Sequence, residues 1–457
     1  MSGSPSGSPS GSPSGSPGAT WSPERAERHL RSLELFGMRF GLDRMRRMMT
    51  ALGAPQRGLP AIHVLGTNGK TSTTKMTAAI LAEHGLRVGA YTSPHLISYA
   101  ERVQVDGCDL PMHAFAAAIA RAAWAAERVN RTLAAGDHIT QFELLTAAAL
   151  SELAAREVDV AVVEAGLGGR YDATSVIDSS VVVLTSVGLE HTRWLGPTLR
   201  DVAGEKLAVL GQSGTLVVPA SLPPEAMTLA RATADERDAQ LLVVGAADEQ
   251  VELAARGDFQ RENFALARCA AGVFLEQAGI APSEERTLAA AARTAVPGRL
   301  QTIAAEPLTL LDGAHNPAAA HALAASLPEL LAGRRAGLVL GVLEDKDAAG
   351  MLTELLGLFE RAWFTAPASS RALSPAALGS LARQLGFERA TCEPEPARAL
   401  AAARTWAQEL PEQRALVATG SIYLVGDLLE RELADSGLAD GEFAAKPDGP
   451  RRREGER

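Results

Sequence analysis

Short apolar runs alternate with longer segments of mixed character along the middle of the chain. Runs bounded by turn residues stand at 62–65, 158–163, 181–185, 216–218 and 241–244, and helical stretches lie between them. A strand, a turn and a helix repeated in this way predict an α/β protein with mostly parallel sheets.

The alternation begins afresh after Val296-Pro297-Gly298-Arg299, with further strands predicted at 308–311, 337–340, 362–365 and 415–419. We therefore expect a domain boundary near 297–301, between a larger domain over 21–297 and a smaller, doubly wound domain over 298–437. Ligands of open α/β sheets bind at the carboxyl ends of the strands. The two domains thus suggest a site in the cleft between them.

Both ends of the chain are compositionally biased. Residues 1–20 repeat Gly, Ser and Pro, and residues 438–457 are polar and contain the short basic run 451–453. Neither segment carries enough apolar surface to offset the entropy cost of ordering. We predict that both are disordered, solvated tails.

Composition and charge exclude several classes of partner. The chain has a net charge of −10, so no broad basic excess is available for nucleic acid or anionic lipid. No stretch of 18 or more apolar residues predicts a membrane span, and since no charged n-region precedes an apolar h-region at the N-terminus, we expect no export. The three cysteines lie far apart without CxxC spacing, which predicts neither a disulfide framework nor a zinc site and fits the cytoplasm.

Lysine is a rare choice in this chain. Of the 44 cationic residues five are lysines, namely Lys70, Lys75, Lys206, Lys346 and Lys446. Arginine can make surface ion pairs equally well, whereas a compact ammonium on phosphate, or an amine that reacts, requires lysine. The positions of these five residues are therefore informative.

A glycine-rich loop follows the first predicted strand. Strand 62–65 leads into Gly66-Thr67-Asn68-Gly69-Lys70-Thr71, and a helix is predicted to open at 72–74. Such a loop presents backbone N–H groups and a helix N-terminus to phosphates; Lys70 would neutralise β- and γ-oxygens, and Thr71 or Ser72 would approach Mg²⁺. GTPases, kinases, transport ATPases and ligases all use such loops, so the loop alone leaves the reaction open.

Four other features carry groups that could bind a metal or react. They are Thr92-Ser93-Pro94-His95-Leu96, the glycine-rich run Glu164 to Ala173, and the run Thr185 to Thr192 with Glu190 and His191, followed by Lys206. Each has a structural alternative: a Ser-Pro turn, a glycine-rich turn, a capping carboxylate and a lysine on a helix surface. Taken singly, none of them identifies a function.

Taken together and in this order, the motifs resemble the folylpolyglutamate synthase and dihydrofolate synthase family of the Mur ligase superfamily. The resemblance covers about residues 28–430. The matching motifs are Gly66 to Lys70, Ser93 to Leu96, Phe142-Glu143, Glu164 to Ala173, His191-Thr192 with Trp194 to Pro197, Glu205-Lys206, Asn263, Pro297 to Arg299, Asp312 to Pro317, Asp345 to Asp347 and Thr419 to Ser421. It implies a P-loop-containing, parallel-sheet ATPase domain over 21–297 and a smaller Rossmann-like glutamate-ligase domain over 298–437.

The resemblance also implies an activity: an ATP-dependent, amide-forming ligase that adds L-glutamate to dihydropteroate, to folylpolyglutamate or to both, through an acyl phosphate. The implied small-molecule partners are the pterin or folate, L-glutamate and ATP. The implied cofactors are ATP, two Mg²⁺ and K⁺, and the expected oligomeric state is a monomer.

Individual residues match the functional positions of that family. ATP binding is implied for Asn68, Gly69, Lys70, Thr71, Asn263, Arg299 and Asp312. Metal binding is implied for Ser93 and Glu164 on one Mg²⁺ and for Glu164 with His191 on a second, with Thr71 nearby. Pterin-side contacts are implied for Thr140, Gln141, Phe142, Glu143, Tyr171, Asp172 and Ala173. Catalytic roles are implied for Lys70 and for Lys206, which matches a carbamylated lysine, while His315 is a candidate either for orienting the glutamate amine or for a strand-end cap.

Two other functions remain open on the sequence. Thr71 stands where many family members have glycine, which favours a Mur-type ligase acting on a cell-wall precursor or polymer, although Phe142-Glu143 and Thr192 with Trp194 to Pro197 favour folate. A regulatory or transport P-loop NTPase, whose nucleotide turnover needs no acceptor carboxylate, is the alternative from a different class.

Overall fold

The computed structural model describes residues 20–33 and 41–436. The tails that we predict to be disordered lie outside the described residues, apart from Thr20. Within these ranges the chain forms two sheets, one on each side of the expected boundary at 297–301.

The N-terminal sheet has eight strands in the order β4-β3-β2-β5-β1-β6-β7-β8. Their bounds are β1 Ala61–Leu65, β2 Val88–Tyr91, β3 Val103–Val105, β4 Cys108–Asp109, β5 Val160–Glu164, β6 Ser179–Leu184, β7 Thr215–Pro219 and β8 Gln240–Val244. Strands β3 and β4 run antiparallel at one edge, and the others pair in parallel. The central strands β1 and β5 are buried at every position, as helices on both faces require.

Helices cover both faces of this sheet. Their bounds are α1 Pro23–Ser32, α2 Asp43–Ala51, α3 Lys70–Glu83, α4 Met112–Asn130, α5 Gln141–Ala155, α6 Thr192–Leu195, α7 Leu199–Leu207, α8 Pro224–Glu236, α9 Phe259–Gln277 and α10 Glu284–Arg293. Helices α3, α9 and α10 form one apolar core with β1 and its neighbours. Helices α1, α2, α4 and α5 form a second core on the opposite face, next to a third that includes α7 and α8.

The C-terminal sheet has six strands in the order β13-β12-β11-β14-β10-β9, all parallel except β9. The strands are β9 Gln301–Ala305, β10 Leu308–Leu311, β11 Arg335–Leu340, β12 Phe359–Phe364, β13 Ala390–Cys392 and β14 Arg414–Thr419. The helices are α11 Pro317–Leu331, α12 Ala348–Leu355, α13 Pro375–Gln384, α14 Pro396–Gln408 and α15 Ile422–Ser436. Helices α11 to α13 pack on one face, and α14 and α15 on the other.

The predicted fold class is confirmed, and each strand predicted from an apolar run is present with ends within three residues of the prediction. The sequence pattern did not reveal β2, β3, β4, β9 and β13. Three of these strands have only two or three residues, β2 contains a glycine, and β9 starts with two polar residues. None therefore gives the continuous apolar run that marks a buried parallel strand. Helix α3 begins at Lys70, two residues earlier than expected.

The parallel arrangement places the carboxyl ends of β1, β2, β5 and β6 at one edge of the N-terminal sheet, where the candidate motifs begin. Of the helices within residues 20–33 and 41–436, none combines the length and the apolar character needed to cross a bilayer.

Candidate active site

The glycine-rich loop connects β1 directly to α3. Gly66 and Gly69 have φ angles of +154° and +86°, which residues with a Cβ rarely adopt. A Cβ on Gly66 would lie 1.9 Å from Thr185 Oγ1, and one on Gly69 would lie 2.3 Å from Asn263 Oδ1. The loop therefore has no room for side chains at these two positions.

The end of β6 holds the loop in place. Thr185 Oγ1 donates to the Asn68 carbonyl at 2.6 Å, and the Asn68 N–H donates to Ser186 Oγ at 2.8 Å. The Thr67 N–H donates to the Ser186 carbonyl at 3.0 Å. Because β1 and β6 are parallel neighbours, their carboxyl ends meet and these contacts become possible.

Two lysines converge on one carbonyl oxygen of the loop. Lys70 Nζ donates to the carbonyls of Gly66 and Thr67, each at 3.1 Å, and Lys206 Nζ donates to the Gly66 carbonyl at 2.9 Å. Lys206 lies on α7 and is 4% exposed. Burial first and the charge of Lys70 second lower the pKa of Lys206 to about 7. Lys206 is therefore a buried amine that is substantially neutral near neutral pH.

Glu164, the last residue of β5, faces the start of α3. Thr71 Oγ1 lies 3.0 Å from each carboxylate oxygen, and the Ser93 N–H donates to Oε2 at 3.2 Å. Glu164 is 1% exposed, and burial raises its pKa to about 7 despite the nearby charges of Lys70 and Arg299. The positive charges nearby are thus too weak to offset the cost of burying the ionised carboxylate.

The oxygen groups of Glu164, Thr71 and Ser93 suit Mg²⁺, which retains several waters and needs only one or two protein carboxylates beside substrate phosphates. The described part of the chain contains no group of three or more His, Cys, Asp or Glu side chains arranged around one point for a metal. This arrangement fits an ion shared with a nucleotide rather than one enclosed entirely by protein. His191 is the residue expected to bind a second ion, and its Nε2 lies 3.7 Å from Glu190 Oε1.

Side chains of the C-terminal domain reach the loop across the cleft. Asn68 and Asn316 exchange two side-chain amide hydrogen bonds of 3.2 and 2.9 Å. Lys346 Nζ lies 2.6 Å from Glu190 Oε1, with the two side chains only 11% and 12% exposed. Burial opposes ionisation of Glu190, but His315 and Lys346 outweigh it and hold its pKa well below its usual range. The predicted interdomain location of the site is thus supported by direct contacts.

His315 and Asn316 stand just before α11. His315 Nδ1 lies 2.9 Å from the Gly313 carbonyl, and its Nε2 lies 3.4 Å from Glu190 Oε1. Asn316 accepts from the Ala319 N–H at 2.9 Å and so caps α11. Of the two residues it is Asn316 that forms the helix cap, whereas the His315 ring lies between its own loop and the carboxylate of Glu190.

The linker residues predicted to bind nucleotide form a compact turn. Asp312 accepts from the backbone N–H groups of Leu300 at 3.0 Å and Ala314 at 2.8 Å. A Cβ on Gly313 would lie 2.2 Å from Arg299 Nη1. Glycine at this position therefore leaves room for the guanidinium group. Asp312 therefore fixes the turn that carries Arg299. Burial raises the pKa of Asp312, and the charge of Arg299 opposes that rise.

Three of the residues expected on the pterin side make internal contacts at the start of α5. Thr140 and Glu143 form a reciprocal cap, in which the Glu143 N–H donates to Thr140 Oγ1 at 3.3 Å and Glu143 Oε2 accepts from the Thr140 N–H at 2.9 Å. Glu143 also accepts from Arg44 Nε at 3.0 Å, and both side chains are 9% exposed. Gln141 Nε2 donates to the Leu30 carbonyl at 2.8 Å.

The other pterin-side residues surround the turn 166–172. A Cβ on Gly166 would lie 2.4 Å from the Phe142 ring, so that ring packs on the turn. Tyr171 is 46% exposed, whereas Asp172 and Ala173 are buried. Phe142 and Tyr171 thus remain the candidates with aromatic surface for a flat substrate ring.

Sequence reasoning missed several residues that the site uses. In the sequence Thr185 and Ser186 stand out only as part of the run Thr185 to Thr192. Their hydroxyls become a signal once β6 is known to lie next to β1. Asn316 precedes Pro317, which is the pattern of a helix N-cap followed by proline. Gln260, which accepts from Asn263 Nδ2 at 2.9 Å, gave no signal.

Comparison with known proteins agrees with this geometry. Residues 64–264 match the family model of the Mur ligase middle domain, and residues 298–422 match that of the Mur ligase glutamate ligase domain. The chain is 34% identical over 372 residues to the dihydrofolate synthase/folylpolyglutamate synthase of Mycobacterium tuberculosis, covering 74% of this chain and 76% of the relative. It is 32% identical over 413 residues to the folylpolyglutamate synthase of Lacticaseibacillus casei, covering 83% and 92%.

Solved structures give the same result. The structure superimposes on M. tuberculosis folylpolyglutamate synthase complexed with ADP with a TM-score of 0.84 at 29% identity, over 90% of this chain and 98% of the other. It superimposes on E. coli FolC in complex with DHPP and ADP with a TM-score of 0.79 at 27% identity, over 93% and 100%. The two family models and these relatives together show that the chain belongs to the dihydrofolate synthase/folylpolyglutamate synthase family of Mur ligases.

Proposed function

We propose that this chain is an ATP-dependent ligase that joins L-glutamate to dihydropteroate, to folylpolyglutamate or to both. The observation that carries the proposal is the convergence of Lys70 and Lys206 on the Gly66 carbonyl. A glycine-rich phosphate loop uses one lysine on the phosphates, and the second, buried lysine here has a pKa lowered to about 7. It suits a site that must support an additional negative charge.

That negative charge is proposed to come from carbamylation of Lys206. The neutral amine adds to the carbon of CO₂, and one proton is released as the anionic carbamate forms. At pH 7 an amine of pKa about 7 is about half neutral, whereas one at 10.5 would be neutral in about one molecule in three thousand. Arginine cannot replace this chemistry, because its guanidinium stays protonated.

Nucleotide binding would use the backbone of the loop and the positive end of α3. Lys70 would exchange its two loop carbonyls for phosphate oxygens, and the linker residue Arg299 would approach from the other domain. Asn263 and Asp312 lie beside these elements, which supports the roles that the family resemblance implies for them. Structural neighbours of this chain are complexes with ADP, in agreement with ATP binding.

Thr71, Glu164 and Ser93 would hold Mg²⁺, and Glu164 with His191 would contribute to a second ion. Mg²⁺ bound there would neutralise phosphate charge. The raised pKa of Glu164 gives a physical reason for a cation at this position, since positive charge would restore the ionised carboxylate. K⁺ is proposed as a further activator on the family resemblance alone.

The reaction proceeds in two displacements. A carboxylate oxygen of the acceptor attacks the γ-phosphorus of ATP, the bond from that phosphorus to the β–γ bridging oxygen breaks, and ADP leaves. The unprotonated amine of glutamate then attacks the acyl carbon and expels phosphate, with loss of one proton. His315, held between the Gly313 carbonyl and Glu190, is proposed to orient that amine.

Acyl phosphates hydrolyse readily, so water must be excluded while the intermediate exists. The contacts between Asn68 and Asn316 and between Lys346 and Glu190 join the two domains over the loop. We propose that these contacts help to close the cleft during turnover. All of these contacts lie within one chain, so we propose a monomer. The three cysteines are free thiols, which suits a reducing cytoplasm.

Phosphate release from ATP tests the proposal. The purified protein is assayed with Mg²⁺, K⁺ and bicarbonate, with and without L-glutamate, and with 7,8-dihydropteroate, tetrahydrofolate, a wall-precursor nucleotide or no acceptor. Release that requires glutamate together with either pterin supports the proposal, and the pterin used distinguishes the two activities. Release only with the wall precursor would identify a different Mur-type ligase, and release without any acceptor would identify an NTPase.

A further inference from the structure

One titratable residue of the central sheet has no place in the chemistry above. His63 lies in the middle of β1, a strand that is otherwise apolar and fully buried, and is itself 1% exposed. Its Nε2 lies 2.8 Å from Thr174 Oγ1, which is also fully buried. A buried imidazole lowers the stability of the fold unless its ring nitrogens are hydrogen-bonded. The contact with Thr174 provides such a hydrogen bond.

The direction of this hydrogen bond follows from the number of protons. Thr174 Oγ1 donates its single proton to Asp172 Oδ1 at 2.5 Å. It can therefore only accept from His63, which must carry its proton on Nε2. Burial lowers the pKa of His63 to about 3, so the ring is neutral and this tautomer is fixed. The three residues form a relay in which His63 donates to Thr174 and Thr174 donates to Asp172.

Asp172 transfers this order to the glycine-rich turn. Its Oδ2 accepts from the Leu167 N–H at 2.7 Å, and its Oδ1 also accepts from the Thr174 N–H at 2.9 Å. One carboxylate thus ties both ends of the turn 166–172 together. The same carboxylate also accepts from the hydroxyl of Thr174, whose other side-chain contact is His63.

The turn packs directly on the backbone of Lys206. A Cβ on Gly169 would lie 2.6 Å from the Glu205 carbonyl oxygen and 2.8 Å from that of Lys206. The Arg170 N–H donates to the Glu205 carbonyl at 2.9 Å. With no side chain between them, a displacement of the turn is passed on to the end of α7, and hence to the Lys206 amine.

We propose that His63 and Thr174 are positioning residues for the ligase reaction: through Asp172 they hold the turn 166–172, which places Lys206 against the phosphate loop. Neither residue is proposed to touch a substrate. The inference rests on the proposed function only in that Lys206 is taken as essential for turnover. The relay itself is a property of the folded chain.

Pairs of variants at the same position separate positioning from folding. Thr174→Val keeps the shape but removes the hydroxyl, and Thr174→Ser restores it; His63→Leu removes the donor, and His63→Gln retains an N–H of similar reach. Thr309→Val is the matched control, because Thr309 is equally buried and its hydroxyl donates to the Pro307 carbonyl at 2.9 Å in the other domain.

We expect Thr174→Val and His63→Leu to lower kcat by about tenfold or more, with KM for ATP changed less than about twofold, because misplacing a catalytic group affects turnover before binding. Thr174→Ser and His63→Gln should recover most of kcat. The control should lose thermal stability without losing kcat. Equal kcat in all folded variants would overturn the inference and leave the relay a purely structural feature.

Two measurements on the full chain do not depend on activity. ¹⁵N NMR of the histidine rings should show His63 protonated on Nε2, and protonation on Nδ1 would overturn the relay. Hydrogen exchange should show lower protection in Thr174→Val at 166–172 and 205–207 but not at 61–65, and uniform loss across the domain would also overturn it. If the wild type shows no glutamate-dependent turnover, the proposed function fails while these two measurements still decide the relay.

Discussion

Glu164 provides the sharpest test of the site's electrostatics. It is a carboxylate at 1% exposure whose pKa burial raises to about 7 from an ordinary value of 4.5. At a pH between these two pKa values, the Glu164 carboxyl group is ionised in the unfolded chain and protonated in the folded chain. The unfolded state then binds fewer protons, so the free energy of unfolding must fall as the pH rises through this window.

The size of the effect follows from the two pKa values. A difference of about 2.5 units corresponds to about 3 kcal/mol, lost between roughly pH 4.5 and 7. Glu164→Gln keeps an oxygen for Thr71 but does not titrate, so it should lack this loss. For a domain of this size, about 3 kcal/mol shifts the unfolding midpoint by roughly 6–12 °C.

The assay is thermal unfolding of wild type and Glu164→Gln in EDTA at pH 4.5 and pH 8. We expect the wild-type midpoint to fall relative to that of the variant as the pH rises, and the variant to be the more stable protein at pH 8 although it has lost turnover. Excess Mg²⁺ with ADP should raise the midpoint more in the wild type than in Glu164→Gln. Parallel pH profiles for the two proteins would refute the reasoning, because they would show that Glu164 ionises normally in the folded chain.

Three further predictions concern other parts of the site. Lys206→Arg should abolish acceptor-dependent turnover without unfolding the protein, and bicarbonate should stimulate the wild type only; full activity in Lys206→Arg would exclude the carbamate. Arg44→Met should lower the free energy of unfolding by about 3 kcal/mol or more, since it leaves Glu143 buried without that charge partner, and urea unfolding at neutral pH would measure the loss. Asn316→Ala removes the amide that pairs with Asn68, and we expect more phosphate release without glutamate, measured as the ratio of phosphate to amide product; an unchanged ratio would show that this contact does not help to exclude water.

Several features of the site could be predicted because they are local. The loop from Gly66 to Lys70, the cap at Asn316 and the lysines at 70 and 206 are visible in the sequence as glycine, cap and rare-residue signals. The roles of Thr140 and Glu143 could not be separated in the same way. A capping box and a substrate contact use the same residue types, and only the packing of Arg44 against Glu143 shows that the carboxylate has an internal partner.

The sequence by itself predicted the alternation of strands and helices, a boundary near residue 300 and the glycine-rich loop after the first strand, because hydrophobic period, turn residues and backbone freedom act over a few neighbouring positions. Only the tertiary structure decided that Lys206 meets Lys70 at one carbonyl, that Glu164 is buried with a raised pKa, and that His63 reaches Thr174. Charge, desolvation and hydrogen bonding between residues more than ninety positions apart depend on distance in space. That distance is set by the order of the strands within the sheet, which no local pattern encodes.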